Sequence, residues 1–198
     1  MGSDFYIIQK NSSGIYTLPI ESILFSKRTV FLSGEINKAS AELFTKQMMA
    51  LSMEDKNDDV LVVINSPGGE ILSGLSILNM MEIAPFKTNV LCTMACYSMA
   101  AVIFSSATGK RTMSPHAKLM FHEPLISKKG DSQTPLSMLL EEEKSLKKNK
   151  ELLKKVIRKR TGLNAPSVSR LFGKDTYFDA DEAIEINLCD EITKREKI

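Results

Sequence analysis

The sequence predicts an α/β fold, and three observations carry that prediction. Residues 60–64, VLVVI, are an uninterrupted apolar run of the kind a strand shows when both its faces are covered. NSPGG at 65–69 follows at once, a turn signal that hands over to a helix-like segment at 71–84. The same alternation of strand-like and helix-like segments continues along the chain, without repeats, low-complexity tracts or linkers.

Taken in order, 29–33 (TVFLS) reads as a short strand. Asn37 is placed to cap a helix running to about 53, with Phe44, Met48 and Leu51 on one face. Pro85 stops the 71–84 helix, and 88–93 (TNVLCT) is the next strand. Residues 98–107 then read as a helix with Gly109 shortly past its end, and 118–121 (KLMF) as a short strand.

The longest helix is predicted from about 135 to 160. Thr134 caps it and Pro135 takes its first position, where a missing N–H costs nothing. Glu141, Glu142 and Glu143 lie toward its start, while Lys154, Lys155, Arg158 and Arg160 crowd its end, as the helix dipole prefers. Gly162 stands just beyond. Leu136, Leu139, Leu140, Leu146, Leu153, Val156 and Ile157 form an apolar stripe. A helix this long is unusual for a chain of this size, and it predicts a segment that protrudes and packs on another copy.

The 198 residues suffice for one domain with a substantial core and hardly for two. With 43% hydrophobic and 25% charged residues the composition is that of an ordinary soluble globular protein. Lysine and arginine total 26 against 24 acids, a net charge of +2, which argues against nucleic acid as the main partner. The basic stretch 144–160 is most simply the solvated face of the long helix. Three cysteines, Cys92, Cys96 and Cys189, argue against a disulfide scaffold and for a reducing compartment. Cys92 and Cys96 have no histidine or acid beside them, so no zinc site is expected. No window approaches ~20 apolar residues and no secretory signal opens the chain, so a cytoplasmic protein is expected.

The stretch 94–102, MACYSMAAV, holds one hydroxyl, Ser98, among small and sulfur-bearing residues. Such a serine is commonly a helix residue bonding back to its own turn. It also falls where a strand gives way to a helix, and there unpaired N–H groups favour a developing anion. The G-x-S-x-G elbow is absent, since Cys96 and Ala100 occupy its glycine positions. From the local residues both readings stand.

A nucleophilic serine needs a base, and the chain has two histidines. His116 follows Ser114-Pro115 in a turn, whereas His122 ends the strand-like run KLMF. If a pair exists, it is Ser98 with His122. The base in turn needs an acid to orient it. Asp179, with Glu182 three residues on, is explained as a helix-capping box; Asp175, in the loop ahead of that helix, has no such role and is the better choice over Asp179 and Asp181. Gly68-Gly69 after a buried strand permits close backbone approach to a ligand, or simply makes a tight turn.

The order NSPGG, YSMAA, FHEPL and KDTYFDADEA, with RTVFLSGEI upstream, resembles the proteolytic subunit of the Clp protease, the ClpP family of serine peptidases, over roughly 15–193. The resemblance implies one peptidase domain over 1–198 with a crotonase-like fold. Its stacked strand-turn-helix units carry a long protruding handle helix, here about 135–160. It further implies a serine endopeptidase with Ser98 as nucleophile, His122 as base and Asp175 as orienting acid. Gly69 and Met99 become backbone donors to the oxyanion, and Gly68 and Glu70 line the path of an extended substrate. No metal or cofactor is implied, ATP being used only by a partner AAA+ unfoldase. The implied assembly is heptameric rings stacked as a tetradecamer, homomeric or mixed with a second ClpP-type subunit.

The chain departs from the family pattern at several positions. Met94 and Tyr97 replace the usual glycine and alanine before the nucleophile. Leu61 and Val63 replace tyrosines of the ATPase-docking cleft. Gly173-Lys174 replaces an Asp-Arg pair, and Ile126-Ser127-Lys128-Lys129 follows where glycines are usual. These departures suggest a divergent paralogue, with a dormant or structural subunit of a mixed ring as the alternative to an active one.

Overall fold

In the computed structural model, which describes residues 5–11, 14–54, 58–125 and 135–194, the predicted buried run becomes a central strand. The described elements in chain order begin β1 (Tyr6–Asn11), β2 (Gly14–Pro19), α1 (Ile20–Ser26), β3 (Thr29–Ile36), α2 (Lys38–Ser52) and β4 (Val60–Gly69). They continue α3 (Ile71–Ile83), β5 (Thr88–Tyr97), α4 (Met99–Ser105), β6 (Arg111–Met113), β7 (Lys118–Phe121) and α5 (Leu136–Thr161). The last are α6 (Ala165–Leu171), β8 (Thr176–Phe178), α7 (Ala180–Glu185) and β9 (Glu191–Ile192).

The main sheet runs β3-β4-β5-β6-β9 with every neighbouring pair parallel. Parallel pairing requires crossovers between strands, and α2, α3 and α4 follow β3, β4 and β5 in turn. The first half of β5 pairs with β6, while Ala95–Tyr97 pair with β7. β8 then adds antiparallel to β7. Between the pairs Ile64–Cys92 and Ser66–Cys96, β5 advances four residues while β4 advances two. That bulge re-aims the end of β5, as bulges do beside functional sites.

NSPGG departs from its expected role as a turn. It continues β4 in extended form to Gly69, which pairs with Ile36 of β3. Glycine makes this possible: Gly69 lies at φ 150° against the backbone of Ile36, where a Cβ would collide. The turn is deferred to Glu70, which caps α3.

Asn37 caps α2 as expected, its side chain accepting from Ser40 N–H, and Phe44, Met48 and Leu51 are buried. α4 is buried along its whole length. The long helix agrees with the predicted span to within a residue at each end, and Gly162 closes it in the left-handed conformation at φ 71°. Pro135 sits at the cap position, one step before its expected place. The predicted cap Thr134 lies outside the described residues, as do Ile126, Ser127, Lys128 and Lys129. Of the apolar stripe, Leu153 and Ile157 enter the core while Leu140 near the helix start is exposed. Burying a leucine or isoleucine contributes about 1.5–3 kcal/mol, so the second half of α5 is what ties it down.

Candidate active site

The bulged end of β5 delivers Ser98 to the head of α4. Its backbone N–H donates to Met120 O of β7 at 2.7 Å. Its dihedrals, φ 53° and ψ −122°, are strained for a residue with a side chain, at a cost of about 1–3 kcal/mol. Gly68 makes the strained turn possible. A Cβ there would meet Tyr97 O at 2.5 Å and Ser98 Cβ at 2.7 Å, so the two chain segments approach as closely as glycine permits.

Ser98 caps α4 through its carbonyl, which accepts from Ala101 N–H and Val102 N–H at 3.0 and 3.3 Å. Its hydroxyl makes no cap bond. Instead Ser98 Oγ lies 2.7 Å from His122 Nε2, the residue just past β7. The reading of Ser98 as a hydroxyl bonding back to its own turn therefore does not hold. His116 is in an exposed turn, apart from this pair.

Asp175 is exposed and immediately precedes β8. The expected loop is in part a strand, because Thr176–Phe178 pair with β7. Phe121 opposes Thr176 in the last pair of that register, and His122 and Asp175 are the next residue of each segment beyond it. Among the described residues no hydrogen bond joins them. Ser98 and His122 are thus brought into contact, and Asp175 stands just beyond the end of the β7–β8 pairing.

A cleft of about 670 Å³ opens over the pair. Gly69, Glu70, Ser98, Met99 and His122 all line it, while Gly68 is buried beneath the elbow rather than facing the cleft. Met99 is the first residue of α4, where helix N–H groups have no acceptor within the helix. Val102, Leu125, Leu153 and Phe172 are among its apolar lining. Sequence reasoning missed these residues, and Met120 and Glu35 with them. Leu153 and Phe172 come from α5 and the end of α6, so no local pattern announces them.

All three cysteines are free and buried. Burial, and secondarily the neighbouring Cys92, push the Cys96 thiol well above its ordinary range, so it stays protonated at neutral pH. Among the described residues no group of three histidine, cysteine, aspartate or glutamate side chains is placed to hold a metal ion. None of their helices is long and apolar enough to cross a membrane.

The sequence model of the Clp protease family matches residues 12–196. The chain belongs to the Clp protease family. Membership makes it a peptidase-type hydrolase in general terms and a relative of ring-forming oligomers that work with AAA+ partners. Both the strained elbow at Ser98 and the cleft above it fall inside the matched span.

Proposed function

We propose that this Clp protease family member is a serine endopeptidase that cuts unfolded polypeptides to short peptides through Ser98, His122 and Asp175. The observation that carries the reading is the 2.7 Å approach of His122 Nε2 to Ser98 Oγ at the base of the cleft. A hydroxyl presented at a strained strand-to-helix elbow, beside an imidazole, is the arrangement acyl transfer requires.

An extended substrate lies along Gly69 and Glu70, pairing main chain to main chain, with Gly68 supporting the elbow from beneath. His122 takes the hydroxyl proton as Ser98 Oγ bonds to the substrate carbonyl carbon. The N–H groups of Gly69 and Met99 hold the oxyanion, each such donor being worth about 3 kcal/mol. The C–N bond breaks, His122 gives its proton to the leaving amine, and water releases the acyl group by the reverse sequence. Asp175 orients His122 and stabilises its charged form. Both it and His122 directly adjoin the Phe121–Thr176 pair that ends the β7–β8 ladder, which supports that role.

On this reading the whole chain, 1–198, is one domain of crotonase-like architecture, and α5 is its handle. The exposed apolar residues in the first half of α5, Met138 and Leu140, are covered by another copy when heptameric rings stack into a tetradecamer. The chemistry draws on the chain's own side chains and needs no metal or cofactor. ATP is spent by an AAA+ partner, docked on a cytoplasmic particle whose cleft carries Leu61 and Val63. A dormant subunit in a mixed ring is the second reading. The absence of an Asp175–His122 hydrogen bond among the described residues is the observation that favours it.

Turnover of an unstructured protein by the purified particle tests the proposal. Short peptides from the parent and none from Ser98→Ala are expected. Intact substrate with the parent, alone and with a second ClpP-type subunit, contradicts it.

A further inference from the structure

The cleft carries a charge that the hydrolytic steps do not use. Glu35 and Glu70 stand in its wall, and among the described residues no lysine or arginine lines it. Glu35, near the end of β3, is opposite Gly68 in register, is exposed, and makes no ion pair among the described residues. One oxygen of Glu70 accepts from Ser73 Oγ at 2.8 Å, and the other has no partner there. The two carboxylates flank Gly69, where an extended substrate would run. Lys38 lies beyond Glu70, in an adjoining groove it shares with Glu42.

Another part of the lining is apolar and includes Val102, Leu125, Leu153 and Phe172. Side chains of an extended peptide alternate between faces, so one residue can meet that apolar lining while its neighbours meet other walls. A cleft lined by one sign of charge concentrates the opposite sign. We propose that Glu35 and Glu70 are specificity-determining residues, selecting polypeptides that carry lysine or arginine next to the residue that packs on the apolar lining. The inference rests on the peptidase reading of the site and adds to it the charge of the substrate.

The test is equilibrium binding to the Ser98→Ala protein, in which hydrolysis cannot remove the ligand. Three fluorescent peptides share an apolar residue and differ in its flanks, which are lysine, glutamine or glutamate. Exposed ion pairs are individually weak, so roughly five-fold tighter binding of the lysine peptide than the glutamine peptide is expected at low salt. The glutamate peptide should bind weakest. The preference should collapse when Glu35→Gln and Glu70→Gln are added, and shrink at high salt. Equal binding of the three peptides, no measurable binding of any, or a preference that survives the two substitutions would overturn the proposal. Turnover by the unsubstituted particle is read separately. Charge-selective binding without cleavage would sink the peptidase reading alone, and equal cleavage with equal binding would sink the charge preference alone.

Discussion

Tyr97 and Tyr177 meet edge to face, their ring centroids 6.0 Å apart and their planes at 84°. Tyr97 is the last residue of β5, immediately before Ser98, and Tyr177 lies in β8 two residues after Asp175. Met120 of β7 is in register with both. The aromatic contact therefore joins the elbow to the strand that begins just after the proposed acid, across the strand that ends just before the proposed base.

Cutting that contact should loosen β8. Such a pair contributes about 0.5–1.5 kcal/mol beyond its buried area, so Tyr97→Ala should lower unfolding stability by about 1–2 kcal/mol. If β8 holds Asp175 near His122, labelling of Ser98 by a fluorophosphonate should slow by roughly ten-fold, the equivalent of about 1.4 kcal/mol. Tyr97→Phe keeps the ring and should react like the parent. Denaturant titration and labelling rates check the two statements, and an unchanged rate in Tyr97→Ala would remove Tyr97 from any positioning role.

Gly68→Ala probes the elbow from beneath. Its Cβ would collide with the Tyr97 carbonyl and Ser98 Cβ, and φ 93° disfavours any side chain. A loss of about 3 kcal/mol or more is expected, with reactivity at Ser98 abolished in whatever remains folded. Gly173→Ala serves as control, since a Cβ there meets nothing closer than 3.6 Å.

Asp190, near the other end of the chain, makes part of the stability dependent on pH. Burial alone would raise its carboxyl, but hydrogen bonds and charge from Arg111 outweigh that and hold it below the usual aspartate range. Arg111 is itself buried and also donates to Asn187 O at 2.8 Å and Asn187 Oδ1 at 2.9 Å. With the folded value depressed, the stabilisation is fully present above the unfolded aspartate value of about 3.9 and is lost as pH falls through the folded value. Asp190 is exposed and its pair with Arg111 is partly screened by solvent, so Asp190→Ala should cost about 1–2 kcal/mol at neutral pH, and the deficit should shrink below about pH 4. Thermal midpoints against pH check this; a deficit that stays constant down to pH 2 contradicts it.

Leu153 belongs both to the core and to the cleft lining. Leu153→Ala should lose about 2–5 kcal/mol of stability. For a substrate with a large apolar side chain it should change KM more than kcat, a split that steady-state kinetics resolves.

What the sequence disclosed is what local chemistry decides. Asn37 with Ser40, Asp179 with Glu182, and Gly162 mark helix ends because each cap is closed within a few residues. Val60–Ile64 reveals a central strand because every position is apolar, although only Val60, Val62 and Ile64 are fully buried and the expected burial of both faces fails at the half-buried Leu61 and Val63. Ser98 and His122 were paired by elimination, helped by there being only two histidines. The β8 strand, the Tyr97–Tyr177 contact and the apolar cleft lining were illegible because contacts distant in sequence create them. NSPGG misled for a related reason: its glycines suggest a turn, yet here they let β4 run on beside β3 and under the elbow.

The central claim is that Ser98 is an activated nucleophile. The most direct measurement is intact mass of the assembled protein after treatment with a fluorophosphonate, with Ser98→Ala and His122→Ala in parallel. The account predicts a single adduct, located on Ser98 by peptide mapping and absent from both variants. A correctly assembled particle that takes no label, or takes it on another residue, would contradict it.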